Sequence, residues 1–198
     1  MSLLLMNSSK LENGKSAIVF DLNETLIHQT KEETRNSFKI EINQNCVNIL
    51  IRKGAINLLK ELNNFYDLFI FTSAKKEYAD PIINLIAPHI QKKNRLYRES
   101  IKFIDKNPIK DLKLIKKNIS KVLLIDDRPK NAMMQPKNVV GVKEFWGEFD
   151  SVLVDLLPVL KSIALENNHF FNLLIIYFFI KDNFNLYHCL LINMFFHY

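Results

Sequence analysis

Three short apolar runs, each ending at a residue that can do chemistry, constrain the fold of this chain more than any other feature. The runs are "SAIVF" (residues 16–20), which precedes Asp21, "DLFIFT" (residues 67–72) and "KVLLID" (residues 121–126). Each run is short, rich in β-branched or aromatic residues and bounded by polar ones, which is typical of a buried strand. We therefore expect three strands in the interior of one sheet.

Segments with helical periodicity alternate with these runs. Residues 53–65 and 74–87 each predict a helix, the second interrupted near Pro81, because proline lacks a backbone donor. "VVGV" (residues 139–142) predicts a fourth strand and residues 151–167 a closing helix. This alternation predicts an α/β fold, a doubly wound, Rossmann-like parallel sheet with helices on both faces.

Two insertions interrupt the alternation. "FKIEI" (residues 38–42) and "CVNILI" (residues 46–51) predict a β-hairpin turning across residues 43–45. The polar, alternating stretch at residues 94–105 is typical of a small sheet rather than of core. We therefore expect a small inserted sheet near residues 94–109.

The length of 198 residues suits one domain, which we place at residues 15–166 after a disordered lead-in at 1–14. The tail, residues 167–198, holds two apolar runs separated by Lys181, Asp182 and Asn183. Each run is shorter than the ~20 residues that span a bilayer, and joining them would put charges in mid-span. Interfacial membrane contact, docking on a partner and a non-native extension added by gene prediction stay open, with membrane contact the less favoured.

Charge, cysteine spacing and glycine content limit the classes of function and the compartment that we expect. The formal net charge is +6, but the lysines are scattered, which indicates a solvated basic surface and no direct contact with nucleic acid. Cys46 and Cys189 lie far apart with no CxxC spacing, so a reducing compartment is expected: intracellular, nuclear or cytoplasmic, with the mitochondrion less favoured. With four glycines the chain has no glycine-rich phosphate loop, which excludes a P-loop nucleotide enzyme.

The residues at the predicted strand ends form a chemically coherent set. In parallel sheets ligands bind beyond the carboxyl ends of the strands, where Asp21, Thr72 and the pair Asp126-Asp127 fall. An aspartate there can attack phosphorus, a threonine hydroxyl can bind a phosphoryl oxygen, and an acidic pair can hold Mg²⁺. Lys110 can neutralise developing charge. Each residue alone is more often a cap, a turn or a solvated charge.

Five blocks in order carry a resemblance to a known family: "VFDLNETLIH", "FIFTSAKKEYADPI", "RLYRES", "IKDL" and "LLIDDRP". Over residues 16–165 the chain resembles the FCP/SCP-type phosphatases of the haloacid dehalogenase superfamily. That family acts on phosphoserine in the C-terminal repeats of RNA polymerase II and in other phosphoproteins. The resemblance implies a Mg²⁺-dependent phosphoserine/threonine protein phosphatase.

The resemblance also implies a role for each matching residue. Asp21 matches the nucleophile, Thr72 the phosphate-binding hydroxyl with Ser73 beside it, and Lys110 the catalytic lysine. Asp127 matches a Mg²⁺ ligand, Asp126 the residue that positions the lysine and the metal waters, and Asn23 a position that ligates Mg²⁺ through its backbone carbonyl. Tyr78 and Arg98 match residues that contact the phosphopeptide, and the small inserted sheet lies beside the active site.

Two departures from the family pattern bear on activity. The family has Asp-x-Asp-x-Thr, and here Asn23 replaces the second aspartate, the general acid and base. An amide cannot shuttle a proton, and losing positioned acid–base catalysis costs about 10²–10⁴-fold. The segment "QTKEETRNSF" (residues 29–38) is charged where the family has an apolar pocket for a substrate proline, which argues against a preference for the polymerase repeat.

Asn23 therefore leaves three hypotheses. The first is a phosphatase of reduced turnover. The second is a phosphoprotein-binding pseudophosphatase or scaffold, similar to the presequence receptor of the mitochondrial inner-membrane translocase. The third is a slow switch that accumulates aspartyl-phosphate on Asp21. Rescue by Glu24 is disfavoured because adjacent side chains point differently. His28 is interpreted as a packing or capping residue and Trp146 as core.

Overall fold

A computed structural model of the chain describes residues 14–166. The predictions for the lead-in and for the apolar tail lie outside these residues. Ten strands and three α-helices follow one another along the described part: β1 (Ala17–Phe20), β2 (Ile27–Thr30), β3 (Ser37–Ile42), β4 (Asn45–Ile51), α1 (Ala55–Leu62), β5 (Asp67–Phe71), α2 (Lys76–Ile86), β6 (Arg95–Leu96), β7 (Lys102–Ile104), β8 (Asn107–Ile109), β9 (Val122–Asp126), β10 (Val139–Gly141) and α3 (Val152–Glu166). Within the described range, no helix is both long and apolar enough to cross a membrane.

The central sheet has five parallel strands in the order β10-β9-β1-β5-β6. Strand β1 lies in the middle, where Val19 pairs with Phe69 of β5 on one side and with Leu124 of β9 on the other. All four residues of β1 are fully buried, as a strand with neighbours on both edges and cover on both faces requires. The predicted α/β, doubly wound fold is confirmed, and the carboxyl ends of β1, β5 and β9 meet at one edge.

The two faces of the sheet are covered by different kinds of helix. Ile18 and Phe20 point into one core, which receives buried residues from all three α-helices. Ala17 and Val19 point into the other core, which is covered by short 3-10 helices at Leu112–Ile115 and Pro129–Ala132. Helices therefore lie on both faces as predicted, but within the described residues the second face carries 3-10 helices, because the connections there are short.

The predicted hairpin is confirmed as β3 and β4, turning at Asn43 and Gln44. Both turn residues have positive φ (50° and 64°), the conformation that a two-residue hairpin turn needs and that asparagine tolerates well. Strand β2 pairs with the other edge of β4 and completes a three-stranded antiparallel sheet in the order β2-β4-β3. The sequence pattern gave no strand at β2.

The small inserted sheet is confirmed but is narrower than predicted. It contains two antiparallel strands, β7 and β8, joined at Asp105 and Lys106. Residues 95 and 96 belong instead to β6, which extends the central sheet beside β5. Strand β6 was not predicted, because residues 94–97 are polar and an edge strand of two residues carries too little apolar pattern to be recognised.

The prediction that helix α2 is interrupted near Pro81 is wrong. The helix runs continuously over Lys76–Ile86 with Pro81 inside it. Proline removes one backbone hydrogen bond, but the buried side chains of Ala79, Ile82 and Ile83 hold the helix against the core. Tertiary packing of the apolar face thus outweighs the local defect. Helices α1 and α3 are confirmed close to their predicted bounds.

Candidate active site

The sheet brings the polar ends of three strands together. Asp21 follows β1, Thr72 follows β5, and Asp126 ends β9 with Asp127 directly after it. The backbone N–H of Asp21 donates to the carbonyl of Ile125 at 2.9 Å, so the ladder between β1 and β9 continues up to the acidic residues. Parallel pairing therefore places residues from distant parts of the sequence at one edge of the sheet.

Lys110 lies between two of these carboxylates. Its Nζ is 2.7 Å from Asp21 Oδ1 and 2.6 Å from Asp126 Oδ2, and its side chain is 2% exposed. Its backbone N–H donates to the carbonyl of Asn131 at 2.7 Å, which fixes the main chain from which the lysine extends. The prediction that Lys110 reaches the strand ends from elsewhere matches this position.

Asp126 and Asn131 hold the lysine in place. Oδ1 of Asp126 accepts the backbone N–H of Arg128 at 2.7 Å and the side-chain amide of Asn131 at 3.0 Å. Asp126 thus bonds to Lys110 in the way predicted for a positioning residue. Asn131 was not predicted from the sequence, since it stands on a 3-10 helix outside the recognised blocks.

Thr25 is a second residue without a predicted role. Its hydroxyl donates to Asp127 Oδ1 at 3.0 Å and accepts the backbone N–H of Asp127 at the same distance. Thr25 is fully buried and connects the loop after β1 to the loop after β9. The signal was present in the sequence, because Thr25 completes the family's Asp-x-Asp-x-Thr block.

The acidic residues form a group that could hold a divalent cation. One carboxylate oxygen from each of Asp21, Asp126 and Asp127 lies within 4.8 Å of the others. Three carboxylates are hard oxygen donors of the kind that Mg²⁺ takes, with water in the remaining positions. The donor set fits the predicted Mg²⁺ and includes both members of the acidic pair Asp126-Asp127, although the family resemblance gives Asp126 a positioning role.

The electrostatics of this group favour a cation. Burial raises the pKa of Asp21 to about 8, with Lys110 opposing the rise and the charges of Asp126 and Asp127 adding to it. Burial and the charge of Asp126 also raise the pKa of Asp127. Burial on its own would lower the pKa of Lys110, but Asp21 and Asp126 outweigh burial and raise it. Lys110 and the exposed Arg128, whose Nε lies 3.4 Å from Asp127 Oδ2, supply two positive charges against three carboxylates, and a divalent cation would supply the missing charge.

Asn23, in the loop after β1, bonds to Tyr78. Its Nδ2 donates to the Tyr78 hydroxyl at 3.0 Å, while its buried Oδ1 has no hydrogen-bond partner within the described residues. Burial raises the pKa of the half-buried Tyr78 hydroxyl, so this group stays protonated at neutral pH. The structure thus brings together Asn23, a predicted catalytic position, and Tyr78, a predicted substrate contact.

Thr72, Ser73 and Arg98 form one wall of the site. The buried Thr72 accepts the backbone N–H of Ala74 at 3.1 Å through its Oγ1, which leaves the hydroxyl hydrogen free to donate. The exposed Arg98 donates from Nε to the Ser73 carbonyl at 2.8 Å, and its N–H donates to the Ala74 carbonyl at 3.0 Å. The predicted phosphate-binding loop and the predicted peptide contact are therefore in direct contact.

The loop after β1 also carries Glu24, which contacts His28, and His28 in turn contacts Trp146. Glu24 has a positive φ of 61°, and its Oε1 is 3.3 Å from Nδ1 of His28. Trp146 meets the His28 ring edge-on, with centroids 5.3 Å apart, in agreement with a packing role for His28. The prediction that Trp146 is core is wrong, since 55% of it is exposed and the neighbouring Phe145 fills the core instead.

An α/β sheet whose strand ends carry a buried carboxylate, a lysine between two acids and an acidic cation group defines a class of phosphoryl-transfer domains. The sequence model of the family described as "NLI interacting factor-like phosphatase" matches residues 16–170. The chain belongs to this family, and its predicted resemblance to FCP/SCP-type phosphatases is confirmed.

Curated relatives agree with this assignment. The human "CTD small phosphatase-like protein" is 30% identical over 171 residues, covering 83% of this chain and 62% of the relative. "CTD small phosphatase-like protein 2" of Dictyostelium discoideum is 30% identical over 156 residues, covering 76% of this chain and 28% of the relative. The chain thus spans less than two thirds of the length of these relatives.

Solved structures agree on the fold. The RNA polymerase II CTD phosphatase Fcp1-R271A of fission yeast, bound to beryllium fluoride, superposes with a TM-score of 0.52 at 18% identity. This superposition covers 82% of this chain and 54% of the other. A second structure of Fcp1, described as an essential RNA polymerase II CTD phosphatase, gives a TM-score of 0.51 at 21% identity over 78% and 51% of the two chains.

Proposed function

We propose that the protein is a Mg²⁺-dependent phosphoserine/threonine protein phosphatase that acts through an aspartyl-phosphate on Asp21, with reduced turnover because of Asn23. One observation carries the proposal: Asp21 Oδ1 lies 2.7 Å from the buried Lys110 ammonium and within the three-carboxylate group. A carboxylate in this setting is oriented and desolvated, and Lys110 together with a bound cation would compensate its charge for attack on an anionic phosphate.

In the first step the phosphoryl group moves from the substrate to Asp21, and several residues assist this transfer. The Asp21 carboxylate forms a bond to phosphorus, while the bond from phosphorus to the serine or threonine oxygen breaks and that oxygen leaves with the electron pair. Lys110 and the Thr72 hydroxyl donate to the phosphoryl oxygens as negative charge develops on them. Asp21, Asp127 and the backbone carbonyl of Asn23 would hold Mg²⁺, which would supply a positive charge against the repulsion between nucleophile and substrate.

Asn23 limits both proton transfers. The departing alkoxide needs a proton, and in the second step the water that attacks the aspartyl-phosphate must lose one. The Asn23 amide can orient either oxygen by hydrogen bonding but can exchange no proton near neutral pH. Solvent then provides and accepts the protons, at a cost of about 10²–10⁴-fold in rate.

The residues at the entrance of the site, Arg98 and Tyr78, support a phosphopeptide as the substrate class. The exposed Arg98 and the half-buried Tyr78 are the candidate contacts to a peptide that carries phosphoserine or phosphothreonine. Several relatives are named for the RNA polymerase II C-terminal domain, so those repeats are one candidate substrate. The charged residues 29–38 favour a different phosphoprotein. We propose an intracellular location, nuclear or cytoplasmic, and no direct contact with nucleic acid.

One observation favours a second candidate function, a phosphoprotein-binding pseudophosphatase or scaffold. The Asn23 amide is tied to Tyr78, and the site keeps Thr72, Lys110 and Arg98 for binding a phosphate. Binding without turnover requires nothing that this site lacks. A related outcome is a protein that forms the aspartyl-phosphate on Asp21 and releases it slowly.

Turnover of p-nitrophenyl phosphate with Mg²⁺ tests the proposal in three proteins: the native chain, Asp21→Ala and Asn23→Asp. We expect slow turnover in the native chain, none in Asp21→Ala, and a gain of about 10²–10⁴-fold in Asn23→Asp, where the acid and base is restored. Equal rates in the native chain and Asp21→Ala would overturn the phosphatase proposal.

The same proteins separate the alternatives. A pseudophosphatase binds a phosphopeptide with an affinity that drops on Arg98→Ala and Lys110→Ala, while Asn23→Asp gains no turnover. A slow switch gains the mass of one phosphoryl group on incubation with acetyl phosphate, in the native chain and not in Asp21→Ala. Intact-protein mass spectrometry measures that gain.

A further inference from the structure

We propose that Arg52 and Asp150 act as positioning residues for the cation site, by holding the backbone of Thr25 and through it the metal-ligating carboxylate of Asp127. This inference rests on the proposed Mg²⁺ site. It concerns two residues that touch neither the phosphate pocket nor the carboxylate group, and that lie 98 positions apart in the sequence.

Arg52 and Asp150 form a buried, two-pronged ion pair. Arg52 Nε lies 2.9 Å from Asp150 Oδ2 and 3.1 Å from Oδ1, and Nη2 lies 2.8 Å from Oδ2. The Arg52 side chain is 0% exposed and that of Asp150 is 10% exposed. Both Asp150 oxygens accept from Nε, while Nη2 makes no hydrogen bond within the described residues and contributes its charge at close range. The charge-assisted bonds from Nε fix the plane of the guanidinium, so Nη1 faces one defined direction.

That donor points at the loop after β1. Nη1 of Arg52 donates to the carbonyl of Thr25 at 3.1 Å, and the backbone N–H of Arg52 donates to the carbonyl of Leu26 at 3.0 Å. The N–H of Phe145 donates to the carbonyl of Glu24 at 2.8 Å, and the Phe145 ring lies 5.5 Å from the guanidinium. Three successive carbonyls of the loop are thus fixed by one arginine and its aromatic neighbour.

Thr25 transmits this position to the cation site. Its hydroxyl both donates to Asp127 Oδ1 and accepts the Asp127 backbone N–H, each at 3.0 Å. A shift of the Thr25 backbone moves both bonds, and with them the carboxylate that completes the group with Asp21 and Asp126. Groups that orient metal ligands from behind typically change metal affinity by 10–100-fold when they are removed.

The C-terminal part of the described chain anchors the Arg52–Asp150 ion pair, which is called the clamp below. Oδ1 of Asp150 also accepts the N–H of Val152, at the start of α3, so the carboxylate is anchored to that helix. The preceding segment passes close over β4, where a Cβ on Gly147 would lie 2.6 Å from Leu50 Cδ1. The clamp thereby couples the position of α3 to the geometry of the cation site.

The test measures metal binding directly, by titrating Mn²⁺ into the full chain and following free Mn²⁺ by electron paramagnetic resonance. Arg52→Lys keeps a charge for Asp150 but loses the fork that reaches Thr25, and we expect its dissociation constant for Mn²⁺ to rise about tenfold or more. The paired change Arg52→Met with Asp150→Leu leaves no unpaired buried charge and should weaken binding to the same extent. Lys161→Gln, which removes the surface pair between α3 and Glu61 of α1, is the matched control and should bind Mn²⁺ like the native chain.

A double-mutant cycle with Thr25→Val locates the coupling. If the clamp acts through the Thr25 hydroxyl, Arg52→Lys weakens Mn²⁺ binding in the native background and has little further effect in Thr25→Val. A clamp that only stabilises the fold would lower the unfolding temperature in EDTA and leave the Mn²⁺ affinity of the folded protein unchanged, which would overturn the inference. A native chain that binds no Mn²⁺ would overturn the proposed metal site together with it.

Discussion

At the scale of single residues, the charge of Asp21 decides what the site can do. The proposed nucleophile must be ionised to attack phosphorus, yet its burial beside two other carboxylates raises its pKa from 3.8 to about 8. Lys110 offsets part of this penalty at 2.7 Å but is shared with Asp126. Without a cation, the protein near neutral pH therefore keeps a proton on Asp21, and a bound cation would displace it.

This pKa gives the metal-free protein a defined pH dependence of stability. Between 3.8 and about 8 the folded state binds a proton that the unfolded state lacks, so the free energy of unfolding falls as the pH rises through that window. We expect the unfolding temperature in EDTA to fall across this window and then to level off. Asp21→Asn, which imitates the protonated form, should flatten the curve and be the more stable protein above pH 8.

Thermal unfolding of both proteins over a pH series measures this effect. Asp127, whose pKa is also raised, adds a slope of the same sign that remains in the variant. An unchanged slope in Asp21→Asn would contradict the assignment of the proton to Asp21.

The residues of the site differ in how visible they are in the sequence. Asp21, Thr72 and Asp126 stand at the ends of recognisable strands, so position along the chain predicts that they meet. Asn131 and Thr25 act through hydrogen bonds to other side chains, at 3.0 Å in each case. No periodicity or spacing marks Asn131 for that role, whereas Thr25 is marked by its place in the Asp-x-Asp-x-Thr block. Asn23 could be identified as a departure from the family pattern, whereas its bond to Tyr78 requires the three-dimensional structure.

At the scale of elements, Gly54 controls how α1 meets α3. It precedes α1 with a φ of +87°, and a Cβ placed there would lie 2.9 Å from Val154 Cγ2 and 3.2 Å from the Val154 backbone nitrogen. Both the conformation and the space therefore require glycine. This position lies two residues after Arg52, so the close approach of the two helices also sets the distance between Arg52 and Asp150.

We expect Gly54→Ala to reduce the free energy of unfolding by about 1–3 kcal/mol, since alanine at positive φ is strained and its methyl group collides with Val154. Adding Val154→Ala should restore part of the loss by removing the side-chain collision. Gly14→Ala is the matched control, because its Cβ would come no closer than 4.0 Å to another residue. Urea denaturation measures the differences, and an equal loss with and without Val154→Ala would contradict the steric explanation.

Elements could be predicted where local pattern and tertiary role agree. The buried strands β1, β5 and β9 have continuous apolar runs, and α1 and α3 have clear helical periodicity, so both kinds were predicted. The errors occur where packing overrides local chemistry, as at Pro81 inside α2, or where an element is too short to show a pattern, as in β6. Trp146 was misplaced because a tryptophan in a segment like the family's closing one predicts burial, whereas the buried place belongs to the neighbouring Phe145.

At the scale of the whole molecule, the site joins the two ends of the described chain. The loop after β1 is bonded to the segment that precedes α3, through Arg52 with Asp150 and through Phe145 with Glu24. The sheet edge adds groups from β5 and β9. A cation bound at this junction would contact loops that depend on nearly every element of the domain. Binding should therefore stabilise the fold as a unit rather than a single loop.

We expect Mg²⁺ to raise the unfolding temperature of the full chain relative to EDTA. A ligand that binds only the folded state adds about 2.7 kcal/mol when its concentration is a hundred times its dissociation constant. Each kcal/mol corresponds to about 2–4 °C in a protein of this size.

Asp127→Ala should lose most of the increase because it removes a ligand. Asp105→Asn removes an exposed acid from the turn between β7 and β8 and should keep the increase. Differential scanning calorimetry measures all three proteins, and an equal increase in Asp127→Ala would mean that Mg²⁺ stabilises the protein elsewhere than at the carboxylate group.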